Sequence, residues 1–243
     1  MAITPPGSSR IRETIAINLQ RGRSCEVPSC GLPRAKVSRY CERHDLHEQR
    51  TGHPLGRSIR KHELKPYIAL VSRYIGTYRD HPAIQAALRW LQAFVYRDHP
   101  HYTLRHGSPP EQRLTRFLAR LKKSAVSPEE MLASCVAMFL MREHDPLSFP
   151  SDKHFRHQVS RYFLRLAPAP FNMTYRGGRG AKMYDRITPG TREYLYSRLS
   201  ETIGIACHNM SKAIYHANAA ESGLLFGINV PFSFQSPRNH YHS

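Results

Sequence analysis

The sequence predicts a mainly α-helical protein in which a small cysteine-rich module precedes a larger helical domain. Three cysteines lie within seventeen residues near the N-terminus, a density typical of a small module that lacks a core of its own. From His62 onward, apolar residues recur at spacings of three and four, which is the period of amphipathic helices. Two short extended stretches joined by a glycine-rich turn add a segment that fits a β-hairpin.

We divide the 243 residues into five segments. Residues 1–20 form a tail with a short N-terminal element, 21–61 the cysteine-rich module, 62–108 a pair of helices, 109–222 a helical domain and 223–243 an irregular tail. Each helix of the pair is followed by Tyr-Arg-Asp-His-Pro, which fits a repeated helix stop because proline disfavours helix at the preceding residue. A paired Asp-His site is the alternative interpretation.

The helical domain is predicted to contain three helices, a hairpin and a final long helix. The three helices span about 111–123, 128–142 and 152–166. The second opens at Ser127, a favourable N-cap, and is apolar all round, so we expect it to be buried. The third combines an apolar face with a charged face. The hairpin strands are predicted at 171–176 and 182–187, before a long helix that begins near Thr188.

This order of elements resembles a winged helix-turn-helix domain, and Tyr184–Leu195 resembles the segment that leaves the wing in many bacterial winged-helix regulators. The resemblance implies that the third helix enters the major groove of DNA while the wing contacts phosphate or the minor groove. The expected contacts are Lys153, Arg156, His157, Ser160 and Arg161 on the helix, and Arg176, Arg179 and Lys182 on the wing. The alternative is a helical bundle whose charged faces are only solvated.

The cysteine-rich module carries a metal-ligand pattern, Cys25-x4-Cys30-x10-Cys41-x2-His44. Three thiolates and one imidazole are the ligands of a closed tetrahedral zinc site, so we expect a structural Zn²⁺. The spacing of Cys41 and His44 places both side chains on one face of a nascent helix. His47 and His53 are alternative fourth ligands, although the spacing favours His44. The remaining cysteines, Cys135 and Cys207, are interpreted as packing residues.

The same residues resemble the Cys-Cys-Cys-His zinc modules at the N-termini of many phage and mobile-element proteins, including some HNH endonucleases. The matching residues are Cys25, Cys30, Tyr40-Cys41, His44, Arg50 and Gly52-His53-Pro54. The resemblance covers about thirty residues, and the histidines and asparagine of an HNH nuclease core do not follow it. The resemblance therefore implies a zinc module and no catalytic centre.

The charge of the chain points to a polyanionic partner. Lysine and arginine total 36 against 18 acidic residues, a formal net charge of +18. Residues 10–61 hold 12 basic and 5 acidic residues, and residues 152–198 hold 10 and 3, so two separate contact surfaces for phosphate are expected. Around the zinc ligands these cations are Arg34, Lys36, Arg39, Arg43, Arg57, Arg60 and Lys61.

Three classes of function remain open from the sequence. The favoured one is a zinc-containing DNA-binding accessory or regulatory factor of a phage or mobile element, with DNA preferred over RNA as partner. A nuclease that uses histidines or zinc and an RNA-binding or scaffold subunit are the alternatives. No Walker loop, His-Glu-x-x-His motif or nucleophile elbow is present, so an enzyme is not expected.

The expected location of the chain is the cytoplasm, bacterial or nucleoid-associated, with no membrane partner. The N-terminus lacks the charged and apolar regions of a signal peptide, and clustered cysteines fit metal binding in a reducing compartment. Protein partners or a homodimer are compatible with this composition.

Overall fold

Helices make up most of the chain between residues 42 and 222. The computed structural model describes residues 12, 13, 15–17, 24–35, 37–105, 107–168, 171–174, 180–183 and 187–222. The helices after the cysteine-rich segment are α1 (Glu42–Thr51), α2 (Lys61–Thr77), α3 (Pro82–Tyr96), α4 (Pro110–Lys123), α5 (Pro128–His144), α6 (Asp152–Leu164) and α7 (Pro189–Ser222). The mainly helical fold class is therefore confirmed, with a 3-10 turn, Pro146–Ser148, between α5 and α6.

Local sequence signals fix where several helices begin. The Ser127 hydroxyl accepts a hydrogen bond from the backbone N–H of Glu130 at 3.1 Å, which caps α5. Ser151 caps α6 in the same way by accepting from the N–H of His154 at 3.1 Å. Both caps satisfy donors that the first turn of a helix leaves without an intrahelical partner.

The two Tyr-Arg-Asp-His-Pro repeats follow helix ends, and their histidines make different contacts. In the first repeat, His81 Nδ1 accepts from the N–H of Ala83 at 3.3 Å and caps α3. In the second, His99 Nε2 hydrogen-bonds back to the carbonyl of Val95 at 3.1 Å, and Asp98 accepts from Lys122 Nζ at 2.8 Å. These contacts fit the helix-stop interpretation of the repeat.

The core forms around α5, which packs against α2, α3, α6 and α7. Its residues from Met131 to Met138 are all buried, as the apolar sequence of this helix predicts. Cys135 in α5 and Cys207 in α7 are also buried, which agrees with their interpretation as packing residues. None of the helices in the described part of the chain carries an apolar stretch long enough to cross a bilayer.

Helix α6 departs from the two-faced helix that the sequence predicts. It ends at Leu164, two residues earlier than expected, and His154, His157, Gln158 and Ser160 are buried together with its apolar residues. Helices α1 and α7 cover this side of α6. The expectation that His157 and Ser160 lie on a face open to a DNA groove is therefore wrong, because two neighbouring elements already occupy that face.

A short hairpin lies between α6 and α7. Strand β1 (Phe171–Thr174) pairs antiparallel with β2 (Gly180–Met183), with Phe171 opposite Met183 and Thr174 opposite Gly180. Arg176 and Arg179 fall outside the described residues, and so does the side chain of Lys182. Their expected contact with nucleic acid as a wing stays a prediction.

Candidate metal centre and basic groove

The four predicted metal ligands come together in space. The ligand atoms of Cys25, Cys30, Cys41 and His44 all lie within 4.8 Å of one another. His44 Nδ1 is 3.3 Å from Cys25 Sγ and 3.4 Å from Cys41 Sγ, and Cys30 Sγ is 4.0 Å from Cys41 Sγ. A zinc tetrahedron with Zn–S bonds of roughly 2.3 Å has edges of about 3.8 Å, so these residues fit Zn²⁺.

Two local structures hold the ligands. The first is the turn around Cys30, in which the N–H of Cys30 donates to the carbonyl of Val27 at 3.1 Å and the N–H of Cys25 donates to the carbonyl of Leu32 at 2.9 Å. The second is the start of α1, where Cys41 is the N-cap and His44 lies in the first turn. The three-residue spacing of Cys41 and His44 therefore places both side chains at the cluster, as the sequence predicts.

The alternative fourth ligands are engaged elsewhere. His47 Nε2 hydrogen-bonds to the carbonyl of Gly56 at 2.7 Å, and His53 Nδ1 accepts from the N–H of Leu55 at 3.2 Å. Neither imidazole belongs to the cluster of four ligand atoms. The structure therefore selects His44 from the three histidines that the sequence left open.

The thiols of the cluster differ in acidity. Burial raises the pKa of Cys25, but hydrogen bonds from the backbone of Cys41 and Val27 and contact with His44 outweigh it and bring that pKa to about 6. At Cys30 a backbone hydrogen bond from Leu32 lowers the pKa. Burial and the neighbouring sulfurs together raise the pKa by more than this, so the net shift is upward. Holding all three sulfurs as thiolates at these distances requires a cation between them, which Zn²⁺ would supply.

The zinc module has a very small core, formed by Cys25, Val27, Tyr40 and Cys41 with Cys30 packed against it. Tyr40, the aromatic residue before the third cysteine, is buried, and the Arg39 guanidinium lies 5.2 Å from the centre of its ring. Four buried side chains cannot hold a module together without a further staple. A metal ion held by the four clustered ligands would supply that staple.

The segment after α1 places the module directly on the helical domain. Gly52 ends α1 with φ of +88°, and a Cβ there would lie 2.6 Å from the carbonyl oxygen of Lys153 in α6. At Gly56 a Cβ would lie 2.4 Å from His154 Cδ2. Gly52, the first residue of the Gly52-His53-Pro54 motif, and Gly56 therefore have a structural reason, because only glycine allows this close approach to α6.

Buried polar side chains complete this junction, and sequence reasoning missed their role. Arg192 of α7 donates from one guanidinium nitrogen to the carbonyls of Gln49 and Arg50, at 2.9 and 2.8 Å, and so caps the C-terminus of α1. Gln158 accepts from the N–H of Ile59 at 3.2 Å, and His154 Nε2 hydrogen-bonds to the carbonyl of Arg57 at 2.8 Å. The segment after α1 is thus held by side chains from α6 and α7.

His157 lies fully buried at the same junction. Burial lowers its pKa, and the nearby cations Arg192 and Lys153, together with His154, act in the same direction, so that the pKa falls to about 4. Glu193 Oε1 lies 3.1 Å from His157 Nε2 and favours the charged ring, but burial and the cations outweigh it. The imidazole is therefore neutral at pH 7.

Several of the cations predicted to contact nucleic acid are paired with carboxylates. Arg34 and Arg39 both approach Glu26, at 3.2 and 3.9 Å. Lys153 lies 2.8 Å from Glu48, and Arg156 lies 3.8 Å from Glu193. Arg43 is exposed on α1, and Lys36 is outside the described residues. The paired cations present less net positive charge than the sequence alone indicates.

Arg57, Arg60 and Lys61 meet Arg161 in space, although about a hundred residues separate them from it in sequence. Two adjoining cavities, of about 400 and 490 Å³, share Ile59, Lys61, Arg161 and Arg165 as lining residues. We call the surface that they form the basic groove; its cations are Arg57, Arg60, Lys61, Lys65, Arg161 and Arg165. Some cations of each of the two basic segments therefore meet in one groove, between the start of α2 and the end of α6.

The cations of the groove differ in their partners. Arg57 pairs with Glu63 and also donates to the Ser148 hydroxyl at 3.2 Å. Among the described residues, no carboxylate pairs with Arg60, Lys61, Lys65 or Arg161. Arg161 donates to Gln158 Oε1 at 3.2 Å, and burial, with Arg165 and Arg192 nearby, lowers its pKa to about 10.

Lys65 and Arg165 were not among the candidate residues from the sequence. A signal for them exists, because Lys61 and Lys65 are four residues apart on α2, and Arg161 and Arg165 are four apart at the end of α6. Side chains at this spacing lie on the same face of a helix. Two such basic pairs mark the two walls of the groove.

Comparisons with protein-family models, with curated proteins and with solved structures found no match for this chain.

Proposed function

We propose that the protein binds nucleic acid along the basic groove, with DNA preferred over RNA, and that the zinc module serves as a structural part of that surface. The observation that carries this proposal is the meeting of two distant basic segments in one groove. Four cations there have no carboxylate partner among the described residues. Unpaired cations lining a concave surface attract phosphate and release counterions on binding.

The zinc module contributes to the groove through chain continuity. Arg57, Arg60 and Lys61 belong to the segment that runs from α1 to the start of α2. Two side chains of α6 hold this segment: Gln158 accepts from the N–H of Ile59, and His154 bonds to the carbonyl of Arg57. A site of three thiolates and one imidazole leaves no open coordination position, so the ion would supply structure. Loss of zinc would therefore weaken binding by releasing the segment that carries one wall of the groove.

A role as an accessory or regulatory factor of a phage or mobile element is the biological part of the proposal. It rests on the resemblance of the zinc module, from Cys25 to Pro54, to modules of such proteins. The groove gives that role a different contact surface from the winged helix expected from the sequence, because α6 is enclosed by α1 and α7.

The test is a salt titration of binding to labelled duplex DNA, single-stranded DNA and structured RNA, with cleavage recorded on the same samples. The groove variant Arg60→Gln/Lys61→Gln removes two unpaired cations. Its matched control, Lys153→Gln/Arg156→Gln, removes two cations of α6 that are paired with Glu48 and Glu193. The groove variant should reduce the slope of log affinity against log salt by about 1.8, and the control by much less.

Each other outcome points to a different class of function. Equal losses in the groove variant and the control would mean that charge alone attracts the ligand and that the groove is not the site. A larger loss of affinity in the control would indicate that nucleic acid contacts α6 at Lys153 and Arg156. Metal-dependent cleavage would indicate a nuclease, and tighter binding of structured RNA would indicate an RNA-binding subunit.

A further inference from the structure

One of the two cavities of the basic groove also contains Ile68, Tyr162 and Leu166, and we call it the inner cavity and the other the outer cavity. Phosphate binding alone does not account for these apolar and aromatic side chains. Where the inner cavity meets the outer cavity, it is lined by Lys61, Arg161 and Arg165. The residues that line only the inner cavity, of about 400 Å³, are largely apolar or uncharged and include Ile68, Tyr162 and Leu166. A cavity of this size that combines apolar walls with a few placed polar groups is typical of a small-ligand site.

Ser134 gives the inner cavity an unexplained polar group. It lies in the middle of α5, is 2% exposed and lines the cavity. Its hydroxyl has no hydrogen-bond partner among the described residues. A buried hydroxyl without a partner is unfavourable and is rare in folded proteins. The hydroxyl oxygen itself is closed off from solvent, and a rotation of the Ser134 side chain toward the cavity would let a ligand there supply a partner.

Arg161 is a second polar group at this cavity whose partners are incomplete, and it carries a positive charge. Its guanidinium lies at the junction of the two cavities, partly buried, with Gln158 Oε1 as its described partner and no carboxylate. Withdrawing a cation from water is costly unless an anion compensates it. Lys61 and Arg165 line the same place, so an anion there would meet several cations.

We propose that the inner cavity holds one phosphorylated nucleotide, with its phosphate at Lys61, Arg161 and Arg165 and its base against Tyr162. Guanidinium groups bind phosphate oxygens in bidentate fashion, and aromatic side chains stack on bases of any sequence. Glu130 then offers its carboxylate to the edge of the base, and Ser134 would offer its hydroxyl after rotating toward the cavity. The assignment rests on the proposed function, since a strand in the groove would supply this nucleotide as its phosphorylated end.

The same chemistry could come from a free mononucleotide, and the experiment separates the two sources. Binding of AMP, CMP and inorganic phosphate would be measured by calorimetry. Binding of an eight-nucleotide strand with a 5′-phosphate, a 3′-phosphate or neither would be measured by fluorescence anisotropy. We expect a phosphorylated strand to bind about tenfold more tightly than the unphosphorylated one, because each added charge-assisted contact contributes strongly.

Two variants and one control locate the site. Arg161→Gln should remove the preference for the phosphorylated strand while leaving the melting temperature unchanged or higher, because it removes a poorly solvated cation. Arg156→Gln, on the exposed side of the same helix, should keep the preference. Lys65→Gln is the second variant, at an exposed position one helical turn from Lys61 on the wall of the inner cavity. It removes a cation that attracts the phosphate, so it should reduce mononucleotide affinity even if Arg161→Gln fails to fold.

The outcomes keep this inference distinct from the proposed function. Mononucleotide binding that Lys65→Gln weakens, without binding of any strand, would support the nucleotide site and reject nucleic-acid binding. Strand binding that ignores terminal phosphate, together with no mononucleotide binding, would reject the nucleotide site and leave the proposed function intact. Inorganic phosphate binding as tightly as AMP would also reject it, because the base would then contribute nothing.

Discussion

The zinc module and the helical domain are stabilised by different means. The core of the module consists of two of its ligand cysteines, Cys25 and Cys41, with Val27 and Tyr40. The helical domain instead buries most of α5 and one side of every helix that packs against it. The junction between them is polar, with Arg192, Gln158 and His154 bonding to the backbone of the segment after α1. This difference implies that separate substitutions can test the metal site of the module, the apolar core of the helical domain and the polar contacts of the junction.

The largest effect is expected from breaking the zinc site with Cys41→Ser. A structural zinc site contributes an apparent binding free energy on the order of 10 kcal/mol, so the variant should lose its metal and unfold the module while the helical domain stays folded. Zinc released to a colorimetric chelator and protease cleavage between residues 24 and 56 would be measured.

The control for this variant is Cys135→Ser, which makes the same chemical change in the buried helix α5. It should keep full zinc stoichiometry. Retention of zinc by Cys41→Ser would show that the ligand set is wrong.

The second effect is on the helical domain alone. Leu132 is fully buried in α5, and Leu132→Ala should destabilise the domain by about 2 to 5 kcal/mol because it leaves a cavity. Zinc content should not change. Denaturant unfolding followed by far-UV circular dichroism measures the loss, and a parallel loss of zinc would mean that the module and the domain unfold as one unit.

The third effect concerns the junction. Gly52→Ala should cost about 3 kcal/mol, since it places a side chain at a left-handed φ and against the carbonyl of Lys153. Gly76→Ala is the matched control, because nothing lies within 4 Å of its Cβ position in α2 and alanine favours helix there. The two melting temperatures should move in opposite directions. A drop of equal size in both would mean that close approach at Gly52 contributes nothing.

The smallest effect is a pH dependence from His157. Its folded pKa of about 4 lies below the unfolded value near 6.5, so the unfolded chain takes up more protons and stability is lost as pH falls through this range. The loss should reach roughly 2 kcal/mol at pH 5 relative to pH 8. Unfolding of wild type and His157→Gln at both pH values measures it, and a variant with an equally steep pH dependence would assign the effect to other groups, the zinc ligands included.

Charge shows why residue counts alone gave an incomplete picture of the surface. Arg34, Arg39, Lys153 and Arg156 looked equivalent to Arg60 and Lys61 in the sequence, but the first four lie near Glu26, Glu48 or Glu193. Glu26 lies eight residues before Arg34, whereas Glu48 lies more than a hundred residues before Lys153 and Glu193 lies after Arg156. Only the fold tells which cations remain without a partner, because ion pairing depends on distance in space.

The zinc ligands and most helix bounds could be predicted because they depend on local spacing. Cys41 and His44 are one helical turn apart, and Ser127 caps the helix that it immediately precedes. Helix α6 could not be predicted in the same way. Its polar residues His157 and Ser160 have the sequence pattern of an exposed face, and they are buried because α1 and α7 pack over them.

The sequence by itself determined the helical class, the small metal module and the excess of positive charge, since propensity, ligand spacing and composition are properties of short segments. Tertiary structure alone decided that Gly52 and Gly56 bring the module onto α6, that Arg192 caps α1 from across the chain, and that Lys61 and Arg161 share one groove. Each of these depends on contacts between residues about a hundred or more apart, which the packing of the helices brings together.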